Sequence, residues 1–193
     1  MKTRPLGPHD ALIVADVQND FLPGGSLGVP GGDAVIPFLN EYIRLALAGG
    51  AHVFASRDWH PTHHCSFREQ GGPWPPHCVQ ASHGADFAVE LRLPKEAVIV
   101  SKGTELDRDA YSAFQGTKLE TALRALDIGR VLVGGFATEY CVLETVRDAR
   151  ARGYAVLVLD DAIGGVDPAR IRAAHDEMIA LGGSPVTLQD IAA

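Results

Sequence analysis

The residues of this chain best suited to chemistry are two acids, a lysine, a cysteine and a group of histidines. Asp16 follows the apolar run Ala11–Ala15, and Arg57-Asp58 follows Ala51–Ala55. Ser101-Lys102 follows Ala97–Val100, and Gly134-Gly135-Phe136-Ala137 follows Arg130–Val133. Cys141 lies about one turn into the stretch that opens at Thr138. If those runs are strands of one parallel sheet, an acid, a second acid, a lysine and a glycine-rich turn emerge on one rim, where such sheets bind ligands. A thiol in the first turn of a helix meets unpaired N–H groups and about half a positive charge, which favours the thiolate. Lys102 would add to that pull. Asp16 could accept the thiol proton and later return it to a leaving group. With Gly135 and Ala137 keeping the turn small, backbone amides could face a developing oxyanion. Taken singly, each residue has a plainer role: a buried small hydrophobe, a turn acid, a solvated lysine. Their convergence on one rim is what brings a nucleophilic role level with those plainer ones.

A second constellation begins at Asp58-Trp59-His60, two potential ligands two residues apart. His63, His64 and His77 follow within the next twenty positions. Carboxylate and neutral imidazole suit Zn²⁺, Mn²⁺ or Fe²⁺, and three protein ligands would leave positions open for water or substrate. Spacing alone leaves open which histidines bind, and a polar loop with unrelated histidines is the alternative. Cys65 and Cys78 read as buried spectators. Phe21 and Trp74 are either core aromatics or the two sides of a slot for a planar ring.

The elements that must position these groups alternate. Two further apolar runs, Tyr154–Leu159 and the weaker Pro185–Leu188, bring the expected strands to six. No run alternates polar and apolar residues, so both faces of each strand should be covered. Helices are expected from a cap at Asp33 to Ala48, over Leu119–Leu126, from a cap at Thr138 to Arg152, and over Pro168–Leu181, each closed by a glycine. This predicts an α/β fold: a three-layer α/β/α sandwich, Rossmann-like, around a six-stranded, mainly parallel sheet. One domain should span 1–193. The exception to the alternation is an irregular insertion at about 58–92, rich in His, Pro, Gly and Trp, and long irregular segments in compact domains usually carry function.

Composition narrows the partners. Of 193 residues, 46% are hydrophobic and 21% charged, which is globular. Acids outnumber Lys and Arg 24 to 17, for a net charge of −7 with no basic cluster, so neither nucleic acid nor an anionic membrane is expected to bind. No apolar run approaches the roughly 20 residues of a membrane helix. Three cysteines without a CxxC pair argue for reduced thiols and a cytoplasmic protein.

Several separated motifs, in order, carry a resemblance. They are Asp16-Val-Gln-Asn-Asp-Phe21, Ser56-Arg-Asp-Trp-His-Pro61 with His64 and Ser66-Phe67, and Trp74-Pro-Pro-His-Cys-Val79. Lys102-Gly103, Asp109-Ala-Tyr-Ser-Ala-Phe114 and Gly135-Phe-Ala-Thr-Glu-Tyr-Cys-Val142 follow. Over roughly residues 10–190 the chain resembles the nicotinamidase/pyrazinamidase branch of the isochorismatase-like cysteine hydrolases. The resemblance implies an amidase with a catalytic triad of Asp16, Lys102 and Cys141. It also implies one divalent metal ion (Zn, Fe or Mn) on Asp58, His60 and His77, with His64 a further ligand in some members. It places the substrate ring near Phe21, Trp74 and Tyr111, a cis peptide at Phe136–Ala137, and an oxyanion hole at the amides of Ala137 and Cys141. The small-molecule substrate implied is nicotinamide, and a homo-oligomer is compatible. One departure stands out: Glu139 occupies a position where many relatives have Asp, and at a helix start either acid suits the dipole. An amidase acting on carbamoyl or ureido substrates, a hydrolase using only metal-bound hydroxide, and an inert flavodoxin-like binding module are the rival classes.

Overall fold

The computed structural model describes residues 4–191. Six strands form one sheet: β1 (Asp10–Ala15), β2 (His52–Asp58), β3 (Val98–Lys102), β4 (Arg130–Phe136), β5 (Ala155–Gly164) and β6 (Gly183–Val186), in the order β3-β2-β1-β4-β5-β6. All five pairings are parallel, so the sheet is wholly rather than mainly parallel. The order reverses between β1 and β4. That is the switch point at which a doubly wound sheet opens a crevice for ligands.

Side chains alternate across β1: Leu12 and Val14 join one core, while Ala11, Ile13 and Ala15 join the other. The first core is closed by α1 (Ile36–Ala48), through Leu39, Tyr42 and Ile43, with α5 (Leu188–Ile191) beside it. The second is closed by α2 (Leu119–Ala125), α3 (Leu143–Ala151) and α4 (Pro168–Ala180). Three layers result, as the β–α alternation requires. The insertion at 58–92 holds only two short 3₁₀ turns and isolated bridges.

Four expectations are corrected. At the sheet edge β3 is not covered on both faces, since Val98 and Ile99 are about 40% exposed. Leu188 belongs to α5 rather than to the last strand, which ends at Val186. Asp33 caps nothing: it lies inside a 3₁₀ turn, Gly32–Val35, and Pro37 fits the opening of the α-helix that follows. Thr138 does not cap either. A π-helical turn, Thr138–Val142, precedes α3, because the Val142 N–H reaches back to the Ala137 carbonyl at 3.2 Å. The Thr138 hydroxyl is buried without a hydrogen-bond partner among the described residues.

Candidate active site

Three strand ends and the π turn meet over the switch point. β1 stops at Ala15, and Asp16 turns the chain in the left-handed region (φ 52°), which Asp tolerates better than most residues. β4 lies so close that a Cβ on Gly135 would overlap the Ala15 carbonyl, which is why this turn needs glycine (φ 119°). The Phe136–Ala137 peptide that follows is cis. From β3 comes Lys102, 1% exposed. Its Nζ lies 3.0 Å from Asp16 Oδ2 and 2.5 Å from Asp58 Oδ1, and it donates to Cys141 Sγ at 3.4 Å. Asp16 also accepts from Ser56 Oγ at 2.7 Å. The structure therefore gathers Asp16, Lys102 and Cys141, and adds a contact the sequence did not suggest: one lysine joins the thiol and Asp16 to Asp58.

The electrostatics differ from the expected thiolate. Burial pushes the Cys141 thiol well up, Lys102 pulls it down, and Asp16 and Asp58 push it up again. The pull is outweighed because the cation is shared between two carboxylates. Burial also raises Asp16, against the pull of Lys102. Burial opposes the charge on Lys102 too, but Asp16 and Asp58 hold its pKa well above the ordinary lysine value. For Asp58 burial works against ionisation, yet Lys102 and His60 outweigh it and hold the carboxyl well below the usual range. The resting site is a thiol beside a carboxylate of raised basicity, with Lys102 charged. Proton transfer to Asp16 is thus the route to the nucleophile, since a stronger base is a better acceptor.

Next to Asp58 stand His60 and His77. Each spends Nδ1–H on a backbone carbonyl, His60 on Gly103 at 3.0 Å and His77 on Pro75 at 2.8 Å. Their Nε2 atoms are left 3.6 and 3.9 Å from Asp58 Oδ2, and ligand atoms of the three residues all lie within 4.8 Å of one another. Burial lowers the His77 pKa, which favours the neutral, ligating form. One carboxylate and two imidazoles oriented from behind by carbonyls fit a divalent first-row metal with positions to spare. Gly103 is part of the arrangement: it has φ 60°, and a Cβ there would overlap the His60 ring. His64 stands outside the set. Its Nε2–H donates to the Arg108 carbonyl (3.1 Å) and its Nδ1 accepts from Ser66 Oγ (2.7 Å), so it holds the opposite tautomer and stacks on His60 at 4.2 Å. His63 is exposed, and Cys65 and Cys78 are free thiols outside the metal set.

Cys141, Asp58, His60 and His77 open onto a cavity of about 310 Å³. Phe21 and Trp74 line it, as does Tyr111, whose hydroxyl accepts from Trp74 Nε1 at 3.0 Å. Trp74 meets Tyr140 edge-on at 5.2 Å and Tyr111 stacks on Tyr140 at 5.9 Å, making a continuous aromatic wall. Ala137 and Cys141, the two proposed oxyanion donors, also line the cavity. Sequence reasoning missed Tyr140, although it adjoins Cys141. It also missed Val166, because the apolar run Tyr154–Leu159 ends five residues before β5 does, at Gly164, and the strand-end rule therefore pointed elsewhere.

The isochorismatase domain family matches residues 10–190. The chain is a member of that family. Among relatives, a nicotinamidase of Escherichia coli (strain K12) is 39% identical, the match covering 95% of this chain and 97% of the relative. The solved structure of a pyrazinamidase of Pyrococcus horikoshii in complex with zinc is 51% identical with a TM-score of 0.91, covering 93% of this chain and 99% of that one. A structure of PnC1 from L. infantum in complex with nicotinate is 36% identical with a TM-score of 0.90, covering 99% and 98%. In this isochorismatase-family chain, the sheet order, the acid–lysine–thiol cluster and the carboxylate–imidazole set thus occur together. No described helix is long and apolar enough to cross a membrane.

Proposed function

We propose that this protein hydrolyses nicotinamide to nicotinate and ammonia through a thioester on Cys141, and that it also accepts pyrazinamide. One observation carries the proposal: the thiol of an acid–lysine–thiol cluster and an Asp–His–His donor set open on the same aromatic-walled cavity, and Lys102 joins the two groups behind it. A cavity of about 310 Å³ is at the small end of ligand sites, as a single ring requires.

Asp16 removes the Sγ proton while Lys102 holds the acid and the thiol in register. The thiolate attacks the amide carbon, and the oxyanion accepts hydrogen bonds from the N–H groups of Ala137 and Cys141. Asp16 then protonates the amide nitrogen, the C–N bond breaks, and ammonia leaves. Water attacks the thioester carbon, losing its proton to Asp16, which returns it to Sγ as nicotinate is released. Asp58, His60 and His77 would hold zinc, iron or manganese, which when bound supplies a Lewis-acid contact that orients the ring nitrogen. Phe21, Trp74 and Tyr111 hold the ring. In this scheme residues 1–193 work as one domain in the reducing cytoplasm.

Ammonia release from nicotinamide, with and without a chelator, tests the proposal. Turnover that falls on chelation and vanishes in Cys141→Ala is expected. Activity only on ureido or carbamoyl amides would move the chain to another branch of the family. Survival of activity in Cys141→Ala would refute covalent catalysis.

A further inference from the structure

Glu139 in place of the Asp of many relatives was expected to be of little consequence, since either acid suits the start of a helix. Instead its side chain is 7% exposed and turned toward the loop between β5 and α4. One oxygen, Oε1, accepts both the Val166 N–H (2.9 Å) and the Asp167 N–H (3.0 Å). The other, Oε2, is buried without a hydrogen-bond partner among the described residues, and it faces Gly165, where a Cβ would overlap it. Asp167 in turn caps α4, accepting from the N–H groups of Ala169 and Arg170 at 2.8 and 3.1 Å. The Arg170 guanidinium lies 4.5 Å over the Tyr140 ring and donates to its hydroxyl at 2.5 Å. The loop, through Glu139, and the first turn of α4, through Arg170, are thus each tied to the turn that carries Cys141. Val166 is itself held by the first tie, and it is half exposed and lines the cavity with Tyr140 and Cys141. The preceding Gly164-Gly165 pair has little intrinsic stiffness, so the ties must hold the loop.

We infer that Glu139 is a positioning residue for substrate selection: it holds Val166 against the cavity, and that wall limits the bulk a ring substituent can bring beside Cys141. The inference rests on the nicotinamide reading above. A methyl group in a closely fitted apolar pocket is worth roughly 10–200-fold in specificity, which sets the scale.

The experiment measures ammonia release from nicotinamide and from nicotinamides methylated at each free ring carbon in turn. The proteins are the parent, Glu139→Gln, Glu139→Ala, Val166→Ala and the Glu139→Ala/Val166→Ala pair. The parent is expected to reject at least one methyl isomer by about tenfold or more in kcat/KM. Glu139→Ala and Val166→Ala should each recover most of that loss, chiefly through KM, and the pair should recover no more than either alone. Glu139→Gln should keep the parent's ratios, because one amide oxygen can accept both N–H groups. Equal loss on every substrate in Glu139→Ala, with Val166→Ala adding independently, would reduce Glu139 to a merely structural residue and overturn the inference. So would a parent indifferent to every methyl position, or ratios unmoved by Val166→Ala. If Glu139→Ala does not fold, Glu139→Asp, one methylene shorter, carries the same expectation at smaller amplitude. A parent that releases no ammonia from nicotinamide refutes the functional proposal itself, and that result is distinguishable from all the others.

Discussion

Replacing Lys102 by Met, a side chain of similar length without the charge, tests the electrostatic account most directly. Lys102 is fully buried and pairs with two buried carboxylates, Asp16 at 3.0 Å and Asp58 at 2.5 Å. Removing one partner of a buried ion pair costs about 3–5 kcal/mol, because the other charge is left unpaired. The loss has a ceiling, since an unpaired carboxyl can take up a proton instead. Doing so at pH 7 against an ordinary pKa near 3.9 costs about 4 kcal/mol per group, at 1.36 kcal/mol for each pH unit. For a chain of this size each kcal/mol moves Tm by about 2–4 °C, so metal-free Lys102→Met should melt roughly 6–20 °C below the parent at pH 7. The sign of the pH dependence follows. In the variant the folded pKa values of Asp16 and Asp58 lie above their unfolded ones, so the penalty is absent below the unfolded pKa and grows as pH rises. The gap in Tm should therefore narrow when both chelated proteins are melted at pH 5. A variant within about 2 °C of the parent at pH 7, or a gap that widens on acidification, would refute the account of Lys102 as the shared counter-charge.

Other outcomes follow from particular contacts. Ser56 donates to Asp16 and helps keep its pKa down, so Ser56→Ala should move the acid limb of the kcat/KM profile to higher pH; an unmoved limb would remove Asp16 as the base. His60→Ala or His77→Ala should lower bound metal well below one equivalent by elemental analysis. His64→Ala, whose ring nitrogens are both engaged by protein groups, should lower it less, and full metal content in His77→Ala would exclude that residue. Trp74→Ala should raise KM more than it lowers kcat, because a ring contact made equally in the ground and transition states is uniform binding; a fall in kcat alone would contradict it.

How far the sequence disclosed this site depends on whether each feature is local. Strand ends are local: apolar runs followed by Asp16, Asp58, Lys102 and the Gly134-Gly135 turn put all four on one rim without any knowledge of packing, and the parallel sheet delivers them there. Choosing among the histidines is not local. His60 and His77 present Nε2 because their Nδ1 atoms are held by the carbonyls of Gly103 and Pro75, whereas His64 is turned the other way by Ser66 and the Arg108 carbonyl. Two of those four partners, the carbonyls of Gly103 and Arg108, lie 43 and 44 residues away and could be assigned only once the loops were folded together. Glu139 shows the same division: its helix-start position was visible, but its hydrogen bonds run to a loop 27 residues further on.

The protonation state of Cys141 shows the same limit in its energetics. A helix start and a neighbouring lysine both favour the thiolate, and both are present. What the sequence could not supply was the apportioning of a single positive charge. Lys102 lies closer to Asp58 and Asp16 than to Sγ, and all four groups are buried, so desolvation acts on the thiol at full strength while most of the compensating cation is engaged elsewhere. That arrangement keeps the nucleophile protonated until a base is used. It also explains why the raised pKa of Asp16 serves the chemistry: a carboxylate of ordinary acidity would be a poorer acceptor for so weakly acidic a thiol.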